Sequence, residues 1–270
     1  MAELPSLTTN SSDEEILFVL RQGASVAHAV VSTITDWSFS RGVNGQYNAD
    51  ISINNAVVGA LNGFGCGVLS EESGASGFSA TRYQDLGNQI VIVVDPLDGS
   101  TNASRGVPWF ATALCAVDAK GPRVGLVANL AAPHTEYAAI RGKGAWRNGM
   151  PFTCTPRDGS TERSLRECVV GISGPPPKDP GWWQFRAFGA AALDLCLVAE
   201  GALDAYLDCD THGVWDYLAS LLICREAGVE MVDAYGLDLV TLLHSDRRSP
   251  IAARQHEIVE KLRDLRASIG

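Results

Sequence analysis

Apolar residues recur at helical spacing from about Asp13 to Asp36, the pattern of a helix with one buried face. Ser12 is placed to cap its start, and Asp13, Glu14 and Glu15 suit the positive end of the helix dipole. A polar loop, SRGVNGQYN, leads to a second helix over about Asp50 to Leu61. GFGCGVLSEESGASG then reads as a glycine-rich approach to a short strand, followed by an exposed acidic loop. The pattern changes at NQIVIVVD, whose unbroken apolar run predicts a strand covered on both faces. WFATALCAVD, RVGLVANLAA and TEYAAIRGKGAWRNG predict three more strands, with DAKGPR and RGKG as turns; Lys143 and Arg147 are expected to serve a hairpin. SLRECVVGIS is a further strand, and SGPPPKDPGWW a proline-rich surface loop in which Trp182–Trp183 could anchor, line a dimer contact or cover a substrate. GAAALDLCLVAEG reads as a small-residue helix ended by Gly201, and ALDAYLD as a strand. VWDYLASLLICREAGVEMVD reads as a helix, a Gly228 cap and a strand. A strand near Pro250 to Ala253 and a charged helix from His256 to about Ser268 close the chain. Elements in blocks favour a layered α/β (or α+β) fold over strict alternation. A boundary near Pro151 to Arg163 would divide it into an N-terminal lobe, residues 1–155, and a C-terminal lobe, residues 156–270.

Composition narrows the class. A 270-residue chain can bury one large core or two joined ones, and 46% hydrophobic with 19% charged residues is a globular balance. A net charge of −10 disfavours nonspecific nucleic acid or anionic membranes as partners. It leaves room for a small anionic substrate if a local site supplies positive charge. Seven scattered cysteines without a CxxC pair predict reduced, mostly buried thiols in a cytoplasmic protein. The first twenty residues show no signal-peptide pattern, and no run of about 18 apolar residues suggests a membrane span. GFGCG neither follows a predicted strand nor opens a helix, so a dinucleotide site is not expected.

The acids at element boundaries carry the chemistry. Asp95 ends the VIVVD strand, and Asp98 follows across Pro96–Leu97. Proline restricts the turn, so both carboxylates and the Leu97 carbonyl can converge on one point. Those are hard oxygen ligands, suited to Mg²⁺ rather than zinc. Glu71 and Glu72 sit at another strand end, Asp216 in the first turn of a helix, and Asp50 near the start of another. Each alone could be a cap or turn residue. Together they would repel one another and take up protons unless a cation neutralised them. Gly99, Ser100 and Thr101 follow directly and offer N–H and hydroxyl donors for an anion. Metal-binding acids beside an anion cradle point to metal-assisted hydrolysis of a phosphate ester. There is no GxxxxGK(S/T) loop and no GxSxG around Ser100, and none of His28, His134, His212, His244 and His256 lies in a nucleophile motif.

These segments resemble the inositol monophosphatase superfamily of Mg²⁺-dependent, lithium-sensitive phosphatases. DPLDGSTN resembles its DP(I/L)DG(S/T)xN motif, VWDYLASLLICREAG its WDxAA helix, LSEES its GEE loop and YNAD its VTxxD segment. DGSTNASRGVPWFATALC, AIRGKGAWRNG and FRAFGAAALDLC lean toward the archaeal-type branch acting on inositol monophosphate and fructose 1,6-bisphosphate. The resemblance implies an α/β/α/β/α sandwich, often a homodimer, holding two to three Mg²⁺ ions. Glu71, Asp95 and the Leu97 carbonyl would hold the first ion, and Asp95, Asp98 and Asp216 the second. Glu71, with Asp50 acting through water, would help hold a weaker third. Gly99, Ser100 and Thr101 would bind the phosphate. Ser100 paired with Asp50, together with Glu71, would orient and deprotonate the attacking water.

The chain also departs from the pattern. Gln46–Tyr47 stand where Val–Thr would be, SEE replaces GEE, and Ala103 replaces a common phenylalanine. The segment before Trp215 lacks an arginine for a second phosphate; Asp208, Asp210 and His212 occupy it, which suits polyol hydroxyls. Ala190 and Asp194 open a helix whose family counterpart faces the substrate, and Arg186 could reach a second phosphate. A monophosphatase is therefore expected. The alternatives are a bisphosphatase or a phosphatase for histidinol phosphate, adenosine 3′,5′-bisphosphate or NADP, and a non-catalytic scaffold, which would have no need of the acids.

Overall fold

The computed structural model describes residues 6–40, 46–132, 135–156, 158–160, 162–176 and 178–269. Arg41 to Gly45 of the polar loop, His134, Arg157 and Thr161 of the boundary segment, and Pro177 lie outside that description.

Helix α1 (Asp13–Val31) starts where predicted, in a capping box: Ser12 Oγ accepts from Glu15 N at 3.1 Å and Glu15 Oε2 from Ser12 N at 2.7 Å. It stops at Val31, short of the expected Asp36. The Ser32 and Thr33 hydroxyls turn back onto the carbonyls of Ala29 and Val30 and compete with the helical ladder. Helix α2 (Asn48–Asn62) follows. Ile16, Val19 and Leu20 of α1 and Ile53, Val57 and Leu61 of α2 share a core with Val68, Ile92, Val94 and Leu114 of the first sheet.

That sheet contains β1 (Gly67–Ser70), β2 (Gly74–Ser76), β3 (Val91–Asp98), β4 (Ala111–Asp118), β5 (Gly121–Asn129), β6 (Glu136–Ile140), β7 (Gly144–Arg147) and β8 (Met150–Phe152), in the order β2-β1-β3-β4-β5-β6-β7-β8. A short helix, α3 (Ser100–Arg105), follows β3. The acidic loop after β1 contains β2, which folds back antiparallel onto it. TEYAAIRGKGAWRNG is two strands of a hairpin, and Asn148–Gly149, both at positive φ, turn the chain into β8. Strand β3 is buried throughout, as its apolar run requires.

The second sheet has five strands: β9 (Val169–Ser173), β10 (Gln184–Arg186), β11 (Ala205–Asp208), β12 (Glu230–Asp233) and β13 (Pro250–Ala253), ordered β10-β9-β11-β13-β12. The proline-rich segment leads into an edge strand, β10, too short and too exposed to show a period. Helices α4 (Ala191–Ala199) and α5 (Val214–Ala227) lie between the sheets, and both are buried nearly all round. Helix α6 (His256–Ile269) covers the far face through Ile258, Val259 and Leu262. The layers run α1/α2, sheet, α4/α5, sheet, α6, the expected five-layer sandwich. Among the described residues no helix is long and apolar enough to cross a membrane.

Candidate metal centre

Two registers bring the acids together. Strand β1 runs parallel to β3 with Ser70 opposite Val94, so the next step places Glu71 beside Asp95. Opposite β4 the register slips between Asp95 and Asp98, where Pro96 has no N–H for the ladder. The slip lets Asp98 follow Asp95 into the same cavity. Asp216 comes from the first turn of α5.

Four aspartates are oriented by one device. Asp95 Oδ1 accepts from Leu97 N at 2.9 Å, and Asp98 Oδ2 from Ala192 N, at the start of α4, at 2.8 Å. Asp216 Oδ2 accepts from Gly213 N and Asp50 Oδ2 from Tyr47 N, each at 2.8 Å across a helix cap. A backbone N–H thus fixes one oxygen of each carboxylate. Gly213 is required here: a Cβ would stand 2.3 Å from the Trp215 indole, which folds back over the cap.

Oxygens of Glu71, Asp95 and Asp216 lie within 4.8 Å of one another. They line an open cavity of ≈ 430 Å³ together with Gln46, Asp50, Glu72, Leu97, Asp98, Gly99, Ser100, Trp215, His244 and Arg247. Burial, then the charges of Glu71, Asp98 and Asp216, hold the Asp95 carboxyl well above the usual carboxylate range. Glu71 is raised by burial, then by Asp216 and Glu72. Burial and Asp216 push Asp98 up to about 7, and burial with Glu72 pushes Asp50 to about 6. Asp216 is raised by burial, against the opposing charge of His212. Asp50 Oδ1 is buried without a partner. Clustered hard oxygens, raised carboxyls and an orphaned acceptor fit a hard divalent cation, for which Glu71, Asp95, Asp98, Asp216 and the Leu97 carbonyl are the available ligands.

Gly99 opens α3 at φ 83°, where a Cβ would stand 3.0 Å from the Gly189 carbonyl and 3.1 Å from that of Trp109. Asn102 Nδ2 ties the turn down by donating to the carbonyls of Trp109 and Phe188 at 2.8 and 2.6 Å. Gly99 and Ser100 line the cavity, and Thr101 is exposed beside them.

The residues expected to contact substrate are placed differently. Ala190 is buried at the α4 cap, where it would limit any side chain at Gly99. Asp194 is buried and accepts from Trp109 Nε1 at 2.8 Å. Asp208 is fully buried and bonded to His212 Nδ1 and Asp210 N, both at 2.8 Å. Burial alone would lower His212, but its Asp208 bond and the charges of Asp216, Asp208 and Asp98 push it up to about 9. Asp210 is exposed. Arg186 lies on exposed β10 and folds onto Phe185 O and Gln184 Oε1. None of these five lines the cavity. Arg247 and His244 do, and neither belongs to a motif that marks it as a site residue. Their only signal was a basic cluster in HSDRRS, a segment without periodicity.

The sequence model of the inositol monophosphatase family matches residues 40–269. A fructose-1,6-bisphosphatase/inositol-1-monophosphatase of Thermococcus kodakarensis is 32% identical over 209 residues, 74% of this chain and 76% of the relative. The crystal structure of the extragenic suppressor protein SuhB from Bartonella henselae superposes with a TM-score of 0.73 at 26% identity, covering 93% of this chain and 98% of that one. A Pyrococcus horikoshii protein described as similar to inositol-1 monophosphatase superposes with a TM-score of 0.75 at 25% identity, covering 93% and 96%.

Proposed function

The chain belongs to the inositol monophosphatase family, and we propose from its site that it is a Mg²⁺-dependent phosphoric monoester hydrolase acting on a small polyol phosphate, foremost an inositol phosphate. One observation carries this: oxygens of Glu71, Asp95 and Asp216, from three separate elements, meet within 4.8 Å in a cavity that Gly99 and Ser100 also line. Mg²⁺ bound there would polarise the phosphate and favour ionisation of a water. The Gly99, Ser100 and Thr101 N–H and hydroxyl groups orient the phosphate oxygens. Ser100 aligns the attacking water, a carboxylate of Asp50 or Glu71 takes its proton, and the P–O bond to the alcohol breaks as the leaving alkoxide takes a proton from water. Two ions suit Asp95 as shared ligand, and the unpartnered Asp50 oxygen suits a third held through water. The same reading includes a homodimer in the cytoplasm that lithium inhibits.

A second reading, a sugar bisphosphatase, has one supporting observation: Arg247 brings a guanidinium to the cavity that the segment before Trp215 lacks. The test is phosphate release with Mg²⁺ from inositol phosphates, fructose 1,6-bisphosphate, histidinol phosphate, adenosine 3′,5′-bisphosphate and NADP. Turnover of an inositol monophosphate ahead of the others supports the first reading; preference for the bisphosphate selects the second. No release from any of them refutes both.

A further inference from the structure

Glu71 is held from two directions. Its own N–H reaches the Val94 carbonyl at 3.3 Å, a long bond at the end of the β1–β3 ladder. Its carbonyl accepts a shorter one, 2.7 Å, from His244 Nε2, 173 residues away in the chain. A carbonyl can only accept, so Nε2 carries the hydrogen; both the neutral ε tautomer and the imidazolium provide it. The imidazole lies against the Trp215 indole, ring centroids 4.7 Å apart, and close to Gly74, where a Cβ would be 4.0 Å from its Cδ2. His244 therefore touches the turn that bears Glu71 and the residue next to Asp216.

The segment carrying His244 is braced. Arg247 Nη1 donates to the carbonyls of His244 and Asp246, each at 2.9 Å, and its guanidinium sits 5.2 Å from the Trp215 ring centre. Thr241 Oγ1 donates to Asp246 Oδ2 at 2.9 Å and accepts from Leu243 N at 3.1 Å. At its root His212 and Arg248 exchange backbone bonds of 2.8 and 2.9 Å. A rigid strap from the second half of the chain thus meets the loop that bears a metal ligand from the first half.

We propose that His244 is a positioning residue for the metal centre: through the Glu71 carbonyl it sets where the Glu71 carboxylate stands relative to Asp95 and Asp216. The inference rests on the metal-dependent reading above. Outer partners that orient a ligand typically change metal affinity about 10–100-fold when removed. The experiment is calorimetric titration of Mg²⁺ into the metal-stripped full chain without substrate, beside thermal melting in EDTA. His244→Phe keeps a ring against Trp215 and loses the donor; His244→Gln places an amide N–H near the Nε2 position. His244→Phe is expected to weaken Mg²⁺ binding about 10-fold with an unchanged melting temperature in EDTA, and His244→Gln to restore most of that loss. Wild-type affinity in His244→Phe, or a loss that His244→Gln does not repair, overturns the role. A wild-type chain that takes up no Mg²⁺ instead removes the metal site and the functional reading with it.

Discussion

Strands β3 and β4 run antiparallel, and each ends in an acid, so Asp95 and Asp98 mark one edge of the sheet and Asp118 the other. All three are buried, yet their fates are opposite. At the far edge, burial would raise Asp118, but Arg141 grips it with bonds of 3.0 and 2.7 Å and holds it below its ordinary value. Nearby, Arg123 and Lys143 do the same for Asp13 at 2.7 and 2.9 Å. At the other edge no arginine or lysine among the described residues grips Asp95, and burial with the charges of its acid neighbours drives its carboxyl up. The same side chain at the same kind of strand end is a structural tie when a guanidinium faces it. It belongs to a candidate ion site when other carboxylates crowd it instead.

The largest expected effect separates the two edges by function. Asp95→Asn should lower kcat by roughly three or more orders of magnitude, while the metal-free protein melts no lower, because a neutral amide relieves repulsion. Phosphate release and melting in EDTA measure both, and turnover near wild type would sink the assignment of Asp95 as a shared ligand. Asp118→Asn should do the reverse. Losing the two-bond grip and leaving Arg141 without its acid costs about 1–3 kcal/mol by urea denaturation, with kcat per folded molecule unchanged. A loss of activity at constant stability would erase the contrast.

Acidity sharpens it further. Asp98, raised to about 7, gives the metal-free fold stability that is complete below its unfolded value near 4 and lost as pH rises through about 7. Asp118 and Asp13, both lowered, contribute above that same unfolded value and lose the contribution as pH falls through their folded values. Urea midpoints in EDTA should therefore fall between about pH 4 and 8, saturating Mg²⁺ should flatten that slope, and Asp118→Asn should leave it in place. A metal-free protein that gains stability over the range would contradict the raised carboxyls. The smallest effect is lithium, expected to inhibit turnover in the millimolar range at fixed Mg²⁺. Insensitivity would set this chain apart from lithium-sensitive relatives without touching the metal assignment.

Much of this was legible before any coordinates, wherever the controlling contact is local. Asp95, Pro96, Leu97 and Asp98 form their turn from their own backbone, and Gly99 and Gly228 sit at positive φ where the motifs place them. Apolar spacing carries α1 on to Asp36, whereas the helix ends at Val31 because Ser32 and Thr33 compete with it through side-chain bonds that the spacing does not register. Strand β10 leaves no mark in the sequence pattern because three exposed edge residues carry no period. Arg186 lies near a matching motif, which suggests a contact for a second phosphate, but its guanidinium lies along its own strand. His244 and Arg247 went unread for the opposite reason, since nothing local marks them and their partners are Glu71 and Trp215.

Beyond the five-layer order that the family resemblance implies, the sequence by itself determined the strand that carries the acids and the glycine turn that follows them. Those depend on side-chain period, proline, glycine and hydrogen bonds between near neighbours, all of which act within a few residues. Only the tertiary structure decided which acids share a centre, which are neutralised by arginine, and which histidine steadies Glu71. Burial and Coulomb energy depend on distance through space, and folding sets those distances by bringing residues 71, 95, 216 and 244 to one point.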